Sequence, residues 1–243
     1  MIIRALPSPN HNDRAVGDPD MLILHYTDTV DAGEALELLT SRAAEVSAHY
    51  LVDTDGTVIH MVHERKRAWH AGRGTWRTRG DINSRSIGIE VQNPGHRCGL
   101  EAFPDVQIAS LIALCQRILA RWPIRPDLVL GHSDIAPTRK RDPGELFPWA
   151  RLARAGIGLY PPDLTGPGGR ISEGMRGPLV FRLQTDLARF GYAVPMTATF
   201  CPVTTAVVLA FQRHYHPEQL DGVWTGTLQA KLAWLIKQCP IDG

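Results

Sequence analysis

Residues 21–27 read MLILHYT, an apolar run that ends in polar residues, the pattern of a buried strand whose C-terminal end reaches the surface. His25 stands at that end. Asp31 followed by Glu34 has the spacing of a reciprocal cap and predicts a helix carrying Ala35, Leu38 and Leu39. Residues 49–53 and 57–62 flank Asp55-Gly56, a strong hairpin signal. In residues 86–92 (SIGIEVQ) the alternation is clean: Ile87, Ile89 and Val91 point to a core, and Gly88, Glu90 and Gln92 point the other way. Gly88 leaves space for something to approach Glu90. From Asp105 to Trp122, Ile108, Leu111, Ile112, Cys115, Ile118, Leu119 and Trp122 follow helical spacing until Pro123 stops them. A short strand at residues 128–130 then delivers the loop GHSDIAPTRKRDPG, residues 131–144. Strands mixed with helices predict an α/β domain with His25, Glu90 and His132 at or beside strand ends, where sites in such sheets gather.

The pattern changes after residue 156. Residues 157–175 (IGLYPPDLTGPGGRISEGM) are rich in Gly and Pro and read as a linker. Beyond it come three amphipathic stripes: Leu179, Leu183, Leu187 and Phe190; Val207, Val208, Phe211 and Tyr215; Leu228, Leu232, Leu235 and Ile236. The predicted organisation is an α/β domain over residues 1–156, a linker over 157–175 and a small all-α three-helix domain over 176–243.

Composition narrows this picture only a little. A hydrophobic fraction of 44%, a charged fraction of 21% and a net charge of +1 are those of an ordinary globular chain, with no global field to attract nucleic acid or an anionic membrane. A local basic excess (Arg65, Lys66, Arg67, Arg73, Arg77, Arg79, Arg85) reads first as a solvated loop face. Cys98, Cys115, Cys201 and Cys239 are too scattered for a zinc knuckle or a disulfide framework, and Cys115 falls on an apolar helix face. No apolar run approaches the roughly 18 residues of a membrane span. The N-terminal stretch meets Pro, Asn and Asp where a signal peptide needs an apolar core, so a cytoplasmic location is expected, or a periplasmic one for a protein that has lost a leader.

Candidate chemistry gathers on a few residues. Most of the ten histidines need no special role; His96, His214 and His216 read as surface residues. His25 and His132 each sit where a strand runs into a loop, and Asp142 is near enough to His132 for one loop to bring both to a point. Two histidines and one carboxylate leave a tetrahedral position open, the arrangement of catalytic zinc. Spacing by itself leaves a structural histidine and ordinary Asp-Pro-Gly turn chemistry as the competing reading.

Five stretches taken together resolve that ambiguity: LILHYT (22–27), SAHYLVDTDGTVIH (47–60), AWHAG (68–72), SIGIEVQN (86–93) and GHSDIAPTRKRDPG (131–144). In this order they resemble the type 2 N-acetylmuramoyl-L-alanine amidases, zinc enzymes of the peptidoglycan recognition protein superfamily. The C-terminal stretches RLQTDLARFGY (182–192), AVVLAFQRHY (206–215) and DGVWTGTLQAKL (221–232) resemble the three-helix peptidoglycan-binding domain. The resemblance implies a mixed central β-sheet flanked by helices and one Zn2+ per chain, held by His25, His132 and Asp142. It also implies Glu90 as the catalytic carboxylate and Lys140 as the basic residue that stabilises the oxyanion. The implied substrate is peptidoglycan or an anhydro-muropeptide, cut between the lactyl group of N-acetylmuramic acid and the first L-alanine of the stem peptide. A non-catalytic peptidoglycan-binding protein is the alternative within that superfamily. His49, His70 and Asn83 lie in family-like motifs and are expected to line the cleft or support the ligands. Trp76 and Trp69 are candidates for stacking on sugar, Trp69 with a place in the core as its stronger alternative.

Overall fold

The computed structural model describes residues 2–239; Met1 and residues 240–243, the end of the expected helical domain, lie outside the described residues. In chain order the strands are β1 (Ile3–Ala5), β2 (His11–Asp13), β3 (Met21–Tyr26), β4 (Tyr50–Val52), β5 (Val58–His60), β6 (Lys66–Ala68), β7 (Ser86–Val91) and β8 (Val129–Gly131). The helices are α1 (Ala32–Thr40), α2 (Ile82–Arg85), α3 (Gly95–Cys98), α4 (Asp105–Arg121), α5 (His132–Ile135), α6 (Trp149–Arg154), α7 (Pro178–Phe190), α8 (Pro202–Tyr215) and α9 (Gly226–Gln238).

A six-stranded sheet runs in the order β1-β5-β4-β7-β3-β8, and β2 pairs with β6 beside it. The sheet is mixed: β7 is parallel to both β3 and β4, while β4 and β5 form the antiparallel hairpin turned at Asp55-Gly56. All of β3 is buried and all of β7 but Glu90, as expected for central strands covered on both faces. Helix α1 starts where the pattern placed it, with the Asp31 carboxylate accepting from the Glu34 amide at 2.9 Å. Helix α4 buries Ile108, Leu111, Leu114, Cys115 and Ile118.

Helices α7, α8 and α9 form the C-terminal unit, with one correction to its first stripe. Leu179 is 68% exposed. Positions 179, 183 and 187 step by four and drift around a helix of about 3.6 residues per turn, so the buried line is Val180, Leu183, Leu187 and Phe190. Residues 166–171 lie against this unit: a Cβ on Gly166 would stand 2.5 Å from the Gly226 carbonyl oxygen, and Ile171 exchanges backbone hydrogen bonds with Trp224 at 2.9 and 2.8 Å. The two units share one continuous apolar core, in which Trp76 meets Phe190 and Tyr192 edge-on at 5.5 and 4.9 Å. Gly191 makes this possible, since a Cβ there would stand 2.4 Å from the indole.

Candidate metal centre and active site

Parallel pairing of β3 with β7 sets His25 opposite Glu90, so both side chains leave the sheet on one face. Two residues earlier Ile23 pairs with Gly88, and a Cβ on Gly88 would lie 2.3 Å from the His70 ring. The space beside Glu90 is therefore taken by His70. On the neighbouring strand β8 ends at Gly131 and His132 opens α5. The loop closes on itself through the Ser133 amide, which donates to the Asp142 carbonyl at 2.9 Å and returns Asp142 to His132.

Three atoms then converge. His25 Nδ1 lies 3.0 Å from His132 Nδ1 and 2.9 Å from Asp142 Oδ2, and His132 Nδ1 lies 3.0 Å from the same carboxylate oxygen. All three residues are buried. The outer nitrogens decide what these atoms can do. Ser86 Oγ donates to the Ile82 carbonyl at 2.6 Å, so it can only accept from His70 Nε2 at 3.1 Å. His70 Nδ1 is then bare and accepts from His25 Nε2 at 3.0 Å, which leaves His25 Nδ1 as a lone pair. His132 Nε2 donates to the Ala71 carbonyl at 3.0 Å, which bares its Nδ1 in the same way. Two lone pairs and a carboxylate oxygen thus face one another with no proton left to separate them. Such a donor set fits a cation, and its two imidazoles and one carboxylate, with a further position free, suit zinc.

The electrostatics agree. Burial, together with the neighbouring His132 and Lys140, lowers His25 to about 4 despite Asp142, so the ring is neutral and free to ligate near neutral pH. Burial pushes the Asp142 carboxyl up, but whenever His132 and His25 carry a proton toward it their charge and hydrogen bonds outweigh burial and hold the group well below the usual carboxylate range; once those protons leave, a cation takes the same place beside an ionised carboxylate. Glu90 goes the other way: burial and then the charge of Asp142 raise it well above an ordinary glutamate, against the pull of Lys140. Its Oε2 is buried without a hydrogen-bond partner. A carboxylate held with this much proton affinity beside a ligand cluster is fitted to pick up and release a proton.

A cavity of about 490 Å3 opens on the cluster and is lined by His25, His70, Glu90, His132, Lys140 and Asp142. The rest of its lining includes an apolar group (Leu38, Leu39, Val46, Trp69), a basic group (Arg97, Arg139, Arg141) and polar residues, Asp28, Thr27, Thr29 and Ser47 among them. Trp69 thus faces the cavity instead of the core, and its indole donates to Asn12 Oδ1 at 2.8 Å. Trp76 does not reach the cavity; it is completely buried beside the C-terminal helices. His49 and Asn83 are also set back. His49 accepts from the Gly88 amide at 2.9 Å, and Asn83 Oδ1 accepts from the His70 and Ala71 amides at 3.1 and 2.8 Å. Both therefore hold the chain segments that carry His70, Gly88 and the Ala71 carbonyl. None of the seven basic residues between 65 and 85 lines the cavity, and Arg67, Arg77 and Arg85 instead pair with Asp81, Asp127 and Asp20.

His214 and Asp134 are the residues that sequence reasoning missed. His214 is buried, not at the surface, with Nδ1 2.8 Å from the Asp134 carboxylate. Its position was readable, because 207, 211 and 214 share one helical face with the apolar stripe.

The chain belongs to the N-acetylmuramoyl-L-alanine amidase family, whose profile matches residues 15–145; a second profile, for a peptidoglycan binding domain, matches residues 176–232. It is 37% identical over 231 residues to the N-acetylmuramoyl-L-alanine amidase AmiD of Escherichia coli, covering 90% of this chain and 82% of that protein. It is 34% identical to the 1,6-anhydro-N-acetylmuramyl-L-alanine amidase AmpD of Enterobacter cloacae, over 61% of this chain and 87% of that one. Among solved structures, AmiD of E. coli in complex with anhydro-N-acetylmuramic acid-L-Ala-D-γ-Glu-L-Lys superposes with a TM-score of 0.79 at 35% identity, covering 93% of this chain and 92% of that chain. AmpDh3 of Pseudomonas aeruginosa follows at 0.77 and 30% identity, with coverage of 93% and 95%. Among the described residues no helix is long and apolar enough to cross a membrane.

Proposed function

We propose that this amidase hydrolyses the amide between the lactyl group of anhydro-N-acetylmuramic acid and the L-alanine of the stem peptide, in peptidoglycan turnover, with zinc held by His25, His132 and Asp142. AmiD and AmpDh3, which share the fold along nearly the whole chain, have been solved with anhydromuramyl peptides bound. When bound, zinc lowers the pKa of water to about 7 and polarises a carbonyl. The rest falls to the protein's own side chains. Glu90 accepts the proton of the attacking water on its unpartnered Oε2 and delivers it to the departing alanine nitrogen, so one carboxylate serves as base and then as acid. Lys140, in the same cavity, faces the carbonyl oxygen as its negative charge grows. The apolar wall of Leu38, Leu39, Val46 and Trp69 suits the sugar and lactyl methyl group, and Arg97 and Arg141 suit stem-peptide carboxylates.

The observation that carries this reading is the convergence of two bare imidazole nitrogens and a carboxylate oxygen beside an unpartnered, proton-avid Glu90. Zinc content and cleavage of soluble anhydro-muropeptide, measured on wild type, Glu90→Gln and His132→Ala, test it. Glu90→Gln should keep one zinc per chain and lose roughly 10²–10⁴-fold in kcat, and His132→Ala should lose both. A fully active Glu90→Gln sinks the mechanism, and a zinc-loaded wild type that binds muropeptide without cutting it marks a binding protein. Comparing turnover on soluble anhydro-muropeptide and on purified sacculi tests the choice of substrate, with the first expected to be faster.

A further inference from the structure

Both ends of the metal-site loop are held from the C-terminal helices. At the His132 end, Asp134 is completely buried, and its carboxylate accepts from the Gly131 amide at 2.8 Å and the Tyr192 hydroxyl at 2.6 Å. Its third contact is His214 Nδ1 on α8 at 2.8 Å. The imidazole cannot swing away, because Trp149 stacks on it at 3.7 Å and Tyr215 at 3.8 Å; two nearly parallel rings that close must occupy opposite faces. At the Asp142 end the contact is one of charge and not a hydrogen bond: the adjacent residue Arg213 has a buried Nε without a hydrogen-bond partner, 3.8 Å from Glu145 Oε2, and the same carboxylate meets His96 Nε2 at 3.1 Å. His96 Nδ1 in turn lies 2.9 Å from the hydroxyl of Tyr26, next in sequence to His25.

We propose that α8 is a positioning clamp for the metal centre: His214, hydrogen-bonded to Asp134, fixes one end of the loop that supplies His132, Lys140 and Asp142, and the charge of Arg213 draws Glu145 in at the other. The helical unit is then part of the amidase site and not only a carrier of wall affinity. The buried Asp134 carboxylate leaves the loop little freedom while its three donors are in place, and losing one leaves a buried acceptor short of a partner. Neither His214 nor Arg213 is placed on the cavity, so the effect passes through the loop.

The proposal rests on the metal reading of the triad, and its test separates the two. In the 243-residue chain, His214→Ala should release zinc to a competing chelator about 10-fold more readily and, without metal, raise amide exchange of residues 131–145 by a similar factor. His214→Asn, which keeps a donor near Nδ1, should return both to within about 3-fold of wild type. Leu232→Ala, buried in α9, lowers the stability of the helical unit without touching the loop and should leave zinc affinity within about 2-fold. Should His214→Ala fail to fold, Tyr192→Phe removes one hydroxyl donor from Asp134 and should show the same changes, about 3-fold. Wild-type exchange and zinc affinity in the folded His214→Ala or Tyr192→Phe protein, or a loss in Leu232→Ala equal to that in His214→Ala, would overturn the clamp. A wild type that holds no zinc would overturn the metal reading, and the exchange comparison would still judge the clamp.

Discussion

The two halves of the site are held in different ways. His25 and Glu90 sit on adjacent strands in the middle of the sheet, where register alone puts them side by side. His132, Lys140 and Asp142 come from one loop after an edge strand, whose place is fixed by side-chain hydrogen bonds, by the Ser133 amide and by contacts from a separate helical unit. A strand position tolerates changes in its neighbours as long as the ladder stays paired; a loop position depends on each of its holders. Perturbing the strand half should therefore need a steric insult, and the loop half should respond to the loss of one polar group.

Gly88→Ala is the steric insult and should have the largest effect. A Cβ 2.3 Å from His70 cannot be accommodated without moving that ring, which orients His25, so zinc affinity should fall at least about 10-fold. Titration of metal with and without the substitution decides it, and unchanged affinity would mean that His70 does not orient the ligand.

Next comes acid sensitivity of the metal-free protein. Burial, reinforced by Arg14, lowers His49 to about 3 from 6.5. Below pH 6.5 the unfolded chain takes up a proton that the folded one refuses until about 3, so stability falls across this window as pH drops. Roughly 2 kcal/mol should be lost on this ring between about pH 6.5 and 4.5. Urea midpoints across that range measure it; a flat profile would contradict a neutral, buried His49, and His49→Gln should reduce the slope.

Ser86→Ala should act more mildly. It removes the acceptor for His70 Nε2, at a cost of about 1–3 kcal/mol for the unsatisfied buried donor, with a several-fold loss of zinc affinity. Thermal melts and chelator competition together check both, and a stability loss without a metal effect would confine Ser86 to packing. The smallest effect belongs to Arg97→Ala, on the basic side of the cavity: KM for the muropeptide should rise a few-fold with kcat and zinc content unchanged. A fall in kcat alone would assign Arg97 to the reaction and not to binding.

This difference between the halves also explains what could be read from the chain. Alternation in residues 86–92 puts Glu90 on the face opposite Ile87 and Ile89, and the apolar run before His25 puts it at a strand end, so the strand half follows from periodicity. For the loop half, spacing left His132 and Asp142 open to an ordinary turn reading, and only the motif resemblance separated them. Trp76 and His214 were misplaced for a common reason. Both meet partners more than 100 and about 80 residues away, at a contact between units; no local pattern announces it for Trp76, whereas for His214 the helical face shared with Val207 and Phe211 announces burial but not the partner. Leu179 was misplaced by counting in fours along a helix that turns every 3.6 residues or so. The basic residues lining the cavity come from α3 and the loop of residues 131–144, and the denser run between 65 and 85 is spent largely on nearby carboxylates.

The relay behind His25 ends, through His70 and Ser86, on the main-chain carbonyl of Ile82. A peptide carbonyl has no proton to give and gains none in ordinary water. Where many metal-bound histidines lean on a carboxylate, whose charge varies with acidity, the candidate ligand His25 leans on a fixed dipole. Its readiness to bind is therefore insulated from the medium until the imidazoles themselves become charged, and the same ligand atom is presented over a wide span of conditions.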